Sequence, residues 1–175
     1  MPTIWRRKRS QPDPHRARLA LIESMRAVMA AKARVEQERL WLARRASNRD
    51  AAYGHLAAQL YALELVLERV YLRLNTLVVG GYLDWRSLAL TAGLVRQALG
   101  RYGHLSPDIT SQLARVEADL TQLWASVEPP VDEGGGLMAD VNEEVQKVLR
   151  EAELAAQGRV GGPGRPTPVG EASSS

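Results

Sequence analysis

The most constraining feature of this chain is a seam of apolar side chains between residues 53 and 77. The spacing alternates between three and four residues, which places all eight on one stripe of a slightly under-wound helix: Tyr53, Leu56, Leu60, Leu63, Leu67, Val70, Leu74 and Leu77. Such a stripe is hidden from water only against another helix with matching knobs and holes. A helix over 53–79 spans on the order of 40 Å at 1.5 Å per residue. The sequence therefore predicts an elongated protein built from long packed helices.

The composition is that of one domain with disordered ends. The 175 residues are 45% hydrophobic and 25% charged, enough for one modest core. Cysteine is absent, which excludes disulfides and thiolate metal sites and fits a cytosolic protein. No apolar run approaches the roughly 20 residues of a membrane span, and the basic first residues lack the apolar core of a signal peptide. We therefore expect a soluble, intracellular protein.

Proline, glycine and charge divide the chain into five segments. We predict a basic disordered arm over 1–14, a helical hairpin core over 15–128, a flexible linker over 129–136, an acidic helix over 137–157 and a disordered tail over 158–175. Residues 1–18 carry a net charge of +5 and residues 131–157 a net charge of −5. No strand pattern occurs, so the predicted fold class is all-α, an elongated hairpin with shorter helices packed on it.

The first helix of the core is predicted over about 15–45. Its apolar stripe is weaker, since Lys32 and Arg39 interrupt the series Leu21, Met25, Val28, Val35 and Leu42. Ser47 or Asn48 is a suitable N-cap, so we interpret 45–50 as a tight hairpin connection, with one continuous helix as the alternative.

Glycine, serine and proline mark the remaining helix ends. Gly80-Gly81 ends the long helix, and a shorter helix follows, broken by Gly100 and Gly103. Residues 106–108, Ser-Pro-Asp, are an N-cap, a first-turn proline and an acidic first turn. They begin a helix with the apolar stripe Ile109, Leu113, Val116, Leu120 and Leu123.

Residues suited to catalysis form no recognisable constellation. His15, His55 and His104 lie about forty or more residues apart, and none forms a helical ligand pair with a carboxylate. Gly134 to Gly136 lacks the strand and the Lys-Ser/Thr of a phosphate loop and is interpreted as a hinge. We therefore expect a protein that is not an enzyme and uses no cofactor or metal.

Four charged residues on the long helix are candidates for a contact between subunits. Glu64 and Glu68 lie one turn apart, and Arg69 and Arg73 are predicted to share their polar side. Opposite charges beside an apolar seam are typical of a surface that contacts another subunit. We favour this interpretation over a catalytic acid/base pair.

Four pieces of the sequence, in order, resemble the members of one protein family. Residues 65–77, LVLERVYLRLNTL, are similar to the family's LALE-x-V-x-x-RLET stretch and precede a similar glycine break. Residues 88–103 resemble its segment L-A-P-x-x-G-x-[IV]-[RK], with Gly93, Val95, Arg96 and Gly100 in register. Residues 106–109, SPDI, stand where the family has M-P-E-V. Residues 144–153 resemble its acidic terminal helix, E-x-x-x-[IV]-L-x-E-A, so the resemblance covers residues 53–157. The family that these pieces resemble is the archaeal ESCRT-III proteins, the CdvB family of cell-division polymers.

The resemblance implies a non-enzymatic subunit that polymerises with itself and with paralogous subunits on the inner face of the cell membrane. It implies a basic helical hairpin facing lipid and an acidic C-terminal helix that holds the monomer closed. The resemblance also implies an AAA+ disassembly ATPase as a partner. The tail, with Pro163, Pro166 and Pro168, is only faintly similar to the proline-containing peptides that bind this ATPase. The family's longer first helix and its Asp-Arg-Tyr stretch have no counterpart before Tyr53, and there is no room for the winged-helix extension of some members.

The basic arm is the predicted membrane-binding segment. Cationic residues near anionic lipid contribute about 1 kcal/mol each, and an adjacent aromatic and aliphatic pair inserts at the interface. The residues concerned are Ile4, Trp5, Arg6, Arg7, Lys8 and Arg9. The alternative is a solvated arm without a partner.

The acidic segment 137–157 is predicted to fold back on the basic hairpin and oppose assembly. Its apolar stripe includes Val141, Val145 and Val148, and Glu144 and Glu151 are among its acidic residues. The alternative is an ordinary packed amphipathic helix.

Two other classes of protein compete with the membrane polymer. A basic arm on a helical scaffold also suits a nucleic-acid-binding protein, but the basic cluster is short and lacks interleaved aromatic residues, which disfavours it. A coiled-coil scaffold is the other class, and helical periodicity does not distinguish it from a filament subunit.

Overall fold

The computed structural model describes residues 12–45, 51–132 and 134–160, and every regular element among them is helical. There are five α-helices, with one 3₁₀ turn over Gly103–Leu105. They are α1 (Pro14–Arg45), α2 (Ala51–Gly80), α3 (Trp85–Tyr102), α4 (Pro107–Ser126) and α5 (Leu137–Val160). The predicted all-α fold class is confirmed. The proposed N-caps Ser47 and Asn48 and most of the predicted basic arm and tail lie outside the described residues.

Helices α1 and α2 pack against each other in opposite directions. Leu21, near the start of α1, lines the same cavity as Leu77, near the end of α2. Further along α1, the Nε of Arg39 lies 3.0 Å from Oε2 of Glu64. Arg39 therefore sits at the edge of the contact, with its guanidinium 5.1 Å from the centre of the Tyr61 ring.

Helix α2 is the central helix of the bundle. Six of the eight seam residues are buried, while Tyr53 is exposed and Leu56 is half-buried. Tyr61, Ala62 and Val66, which lie off the seam, are buried as well. The reason is that α2 packs against α1, α3 and α5, so more than one stripe of its surface is covered.

The buried stripe of α1 alternates large and small residues. The large positions are Leu21, Val28, Val35 and Leu42, and the small positions are Ala17, Ser24 and Ala31. The predicted member Met25 is only half-buried. Lys32 and Arg39, which interrupt the predicted stripe, are likewise only partly buried, and the buried small residues Ser24 and Ala31 lie one position before Met25 and Lys32. The predicted stripe looked weak because it ran through these neighbouring positions.

Local signals set the turn between α2 and α3. Gly81 has a φ of +68°, the left-handed conformation expected after the long helix. Asp84 caps α3, since its Oδ2 accepts hydrogen bonds from the Ser87 backbone nitrogen at 2.9 Å and from the Ser87 hydroxyl at 2.6 Å. The hydrogen bond from the Ser87 side chain is the main cause that lowers the pKa of Asp84 below its ordinary value. The prediction that Gly100 breaks α3 is wrong, because the helix continues through this exposed glycine to Tyr102.

Helix α4 begins at the predicted place. Ser106 occupies the N-cap, with Pro107 in the first turn and Asp108 after it. The Ser106 hydroxyl makes no capping hydrogen bond; instead the Ser106 carbonyl accepts one from the Thr110 hydroxyl at 2.8 Å. All five residues of the predicted stripe are buried. They pack α4 against α1 and α3.

Candidate functional site: the contact of α5 with α2 and α3

Helix α5 lies along α2 and α3 and is attached through a linker that follows α4. Its buried stripe consists of Val141, Val145, Leu149, Ala152 and Ala156. The predicted stripe residues Val141 and Val145 are buried, but Val148 is only half-buried and its neighbour Leu149 is buried in its place. The displacement arises because α5 packs in the groove between α2 and α3. The course of that groove is not determined by the spacing of apolar residues within α5.

Glycine on α3 allows α5 to approach closely. A Cβ atom added at Gly93 would lie 3.1 Å from Cγ2 of Val145, tighter than ordinary van der Waals contact. Glycine in a helix interior costs about 1 kcal/mol relative to alanine. Its presence at this position therefore marks the site where the two helices meet.

Two carboxylates of α5 are held by arginines of the bundle. Glu144 places one oxygen 3.3 Å from Nη2 of Arg73 on α2 and the other 3.3 Å from Nη2 of Arg86 on α3. Farther along, Oε1 of Glu153 lies 2.5 Å from Nη1 of Arg101. The Arg86 and Arg101 pairs make α5 parallel to α3. The Arg73–Glu144 pair, together with a groove that Leu65 and Ala155 both line, makes α5 antiparallel to α2.

A tyrosine completes the second ion pair. The Tyr102 hydroxyl donates a hydrogen bond of 3.4 Å to Oε1 of Glu153, and Arg101 also donates to Gln146 at 2.9 Å. Burial, followed by the nearby Glu153 charge, raises the pKa of Tyr102 to about 12. The tyrosine therefore stays a neutral hydrogen-bond donor to the carboxylate across the ordinary pH range.

The linker combines a turn with a helix cap. Gly135 has a φ of +69°, and Asp132 accepts a hydrogen bond of 3.1 Å from the backbone nitrogen of Leu137. Both partners of this hydrogen bond belong to the linker and to α5, so the cap fixes where the helix begins.

The four predicted subunit-contact residues do not form one surface. Glu64 faces α1 and pairs with Arg39, while Arg73 faces α5 and pairs with Glu144. Glu68 and Arg69 are exposed. They line a groove of about 280 Å³ between α2 and α5, together with Leu65, Leu72, Val148 and Glu151.

The predicted membrane-binding residues 4–9 lie outside the described residues. The described part of α1 carries further basic residues on its exposed side: Arg16, Arg18, Arg26, Arg34, Arg44 and Arg45. Exposed apolar residues lie among them, and Trp41 is 53% exposed with the Arg45 guanidinium 4.5 Å from its ring centre. Arginine interspersed with apolar side chains suits the surface of an anionic membrane.

Across residues 12–45, 51–132 and 134–160, no group of three His, Asp or Glu side chains is placed to hold a metal ion. The helices of this same part of the chain all fall short of the length and apolar character that crossing a membrane requires.

Comparison of the chain with protein-family models, curated proteins and solved structures finds no match.

Proposed function

We propose that this protein is a membrane-associated, polymer-forming subunit of an ESCRT-III-like machinery that constricts or remodels membrane in cell division or vesicle budding. The sequence resemblance supports this function, as does the antiparallel packing of two long helices. At 1.5 Å per residue, the 32 residues of α1 and the 30 residues of α2 span about 48 Å and about 45 Å. In this proposal, the pair serves as the elongated hairpin of the subunit.

The observation that carries the proposal is the pairing of the acidic helix α5 with arginines of α2 and α3. Exposed and half-exposed ion pairs contribute only about 0.2–1 kcal/mol each. Burying a valine or leucine side chain contributes about 1.5–3 kcal/mol, from which the cost of ordering the helix is subtracted. A neighbouring subunit that offers the same kinds of contact is therefore able to compete with α5.

In the proposed mechanism, α5 covers the surface that a second subunit uses. When α5 leaves, Arg73, Arg86 and Arg101 lose their carboxylate partners and the apolar groove of α2 and α3 becomes accessible. A neighbouring subunit supplies the same two kinds of contact. Glu68 and Arg69, which are exposed in the closed form, add charge of both signs to the edge of this surface.

Membrane binding is assigned to the arm residues 4–9 and to the exposed arginines of α1. Each subunit binds anionic lipid weakly, because separate exposed cationic contacts are screened by salt. A polymer presents many copies of this surface at once, so the assembled form binds far more tightly than the monomer. The protein is thus proposed to act at the cytoplasmic face of the cell membrane.

Electron microscopy with anionic vesicles tests the proposal. The chain truncated after Pro130 is expected to form ordered filaments or tubules at a lower concentration than the full-length chain. Since truncation also exposes apolar surface, a full-length variant, Val145→Arg, provides a second test: the charged side chain does not fit against Gly93, so α5 is expected to detach. Glu143→Arg, at an exposed position of the same helix, is the matched control.

Ordered assembly by both opened forms, with the control equal to the natural chain, supports the proposal. Amorphous aggregate from the truncated chain, together with unchanged behaviour of the Val145→Arg variant, contradicts it. Retention on DNA in place of vesicles would assign the basic surface to nucleic acid.

A further inference from the structure

A cavity of about 630 Å³ lies where α1 begins, α2 turns into α3 and the chain leaves α4. Its wall is mostly apolar and aromatic and includes Leu21, Leu77, Val78, Leu83, Trp85 and Val127. Pockets that enclose a ligand typically measure about 300–1,000 Å³. The cavity therefore has the size and lining to hold a large apolar side chain.

Three exposed apolar residues either belong to the wall of this cavity or directly follow a wall residue in the sequence. Tyr82, in its wall, is 70% exposed. Val79 and Val131 directly follow the wall residues Val78 and Pro130 in sequence, and they are 78% and 90% exposed. Large apolar side chains exposed together mark a surface that an apolar partner covers.

The segment 1–11 is a candidate for this partner, because it joins the described structure at Pro12, which is part of the cavity wall. Ile4 and Trp5 are an adjacent aliphatic and aromatic pair in a polar, basic segment. They lie eight and seven residues before Pro12, within at most about 29 Å of extended chain. A tether this short gives an effective concentration on the order of millimolar.

The charges near the cavity suit the residues that follow Trp5. Asp84 and Glu128 lie in the wall, and Asp13 is exposed next to Pro12. Residues 6–9 bring four positive charges. Arg18 and His15 occupy the α1 side of the cavity. We therefore expect the basic residues 6–9 to lie on the opposite side, near the start of α3 and the segment that follows α4.

We propose that Ile4 and Trp5 of the same chain dock in this cavity when the protein is away from a membrane. The docking of these two residues does not depend on the proposed function. Their release by a membrane does rest on that function, because it assigns the same two residues to insertion into lipid. Cavity and membrane then compete for them, and the arm is unavailable to lipid while it is docked.

Disulfide trapping tests the docking, since the natural chain has no cysteine. Thr3→Cys, which leaves Ile4 and Trp5 in place, is combined with Val78→Cys, a half-buried position in the cavity wall. The control combines Thr3→Cys with Thr76→Cys, two residues earlier on the exposed side of α2. Both full-length variants are oxidised gently at low concentration without vesicles, and the product is identified by mass spectrometry.

The pair with Val78→Cys is expected to form an intramolecular disulfide at least tenfold faster than the control pair. Equal rates would overturn the docking, and a covalent dimer as the main product would assign the cavity to the arm of a second copy. Anionic vesicles are then expected to slow the fast reaction about tenfold. An unchanged rate on vesicles that bind the protein would refute release by the membrane and leave docking established.

Discussion

Replacing Glu144 with arginine tests whether charge holds α5 on the bundle. The natural carboxylate contacts Arg73 and Arg86, both at 3.3 Å. In the variant both ion pairs disappear and three cationic side chains face one another. Because the change leaves the buried stripe of α5 intact, we expect α5 to detach more often without loss of the core.

The size of the effect follows from the exposure of the three side chains, which is 36% for Glu144, 32% for Arg73 and 54% for Arg86. Partly exposed pairs contribute about 0.2–1 kcal/mol each, and like-charge contacts cost a similar amount. The closed form thus loses about 1–3 kcal/mol, which raises the detached fraction by about 5–150-fold.

Hydrogen exchange of the α5 amides in the full-length protein measures this fraction. The exchange rates of residues 137–157 are expected to rise by the same factor, while those of α4 stay unchanged. Raising the salt concentration to 1 M shortens the screening length to about 3 Å and should remove most of the difference.

The matched control is Glu143→Arg, which adds the same charge at an exposed neighbouring position. The reasoning is refuted if both variants accelerate exchange equally, or if Glu144→Arg has no effect at low salt.

Three further predictions concern the arm, the subunit surface and the α3 cap. Replacing the basic residues 6–9 with serine should release the protein from anionic vesicles, and added salt should mimic the change in a sedimentation assay. Arg69→Glu should raise the concentration needed for filaments, with helicity unchanged by circular dichroism. Asp84→Ala should lower the free energy of unfolding by about 1 kcal/mol in urea at pH 7. Because the folded-state pKa of Asp84 lies below its ordinary value of 3.8, that stabilisation is lost as pH falls through the folded pKa, so the difference should shrink at pH 2.

Local chemistry made parts of the fold predictable from the sequence. The start of α4 at Ser106-Pro107 and its buried stripe depend on capping and on spacing within about one helix. Gly81 ends α2 because the backbone there takes a positive φ, which glycine adopts without strain. Each signal lies within a few residues of the feature it determines.

Contacts between distant helices were not predictable in this way. Glu64 and Arg73 looked like members of one charged face, yet they point to different partners on α1 and α5. The roles of Arg101 and Tyr102 depend on Glu153, some fifty residues away in the chain. Gly93 carried a signal, since a glycine within a helical pattern often marks a close approach of another helix.

The alternating stripe of α1 has a consequence for how the long helices are aligned. Its small positions, Ala17, Ser24 and Ala31, and its large positions each recur every seven residues, as do the leucines of α2. Sliding α1 by one heptad, about 10.5 Å, would therefore set similar shapes against similar shapes. Apolar packing between these two helices therefore discriminates weakly between alignments that differ by one heptad. The Arg39–Glu64 pair and the Arg34–Asp108 pair to α4 both favour the native alignment, so charged side chains of α1, more than its apolar stripe, specify the register of the long helices.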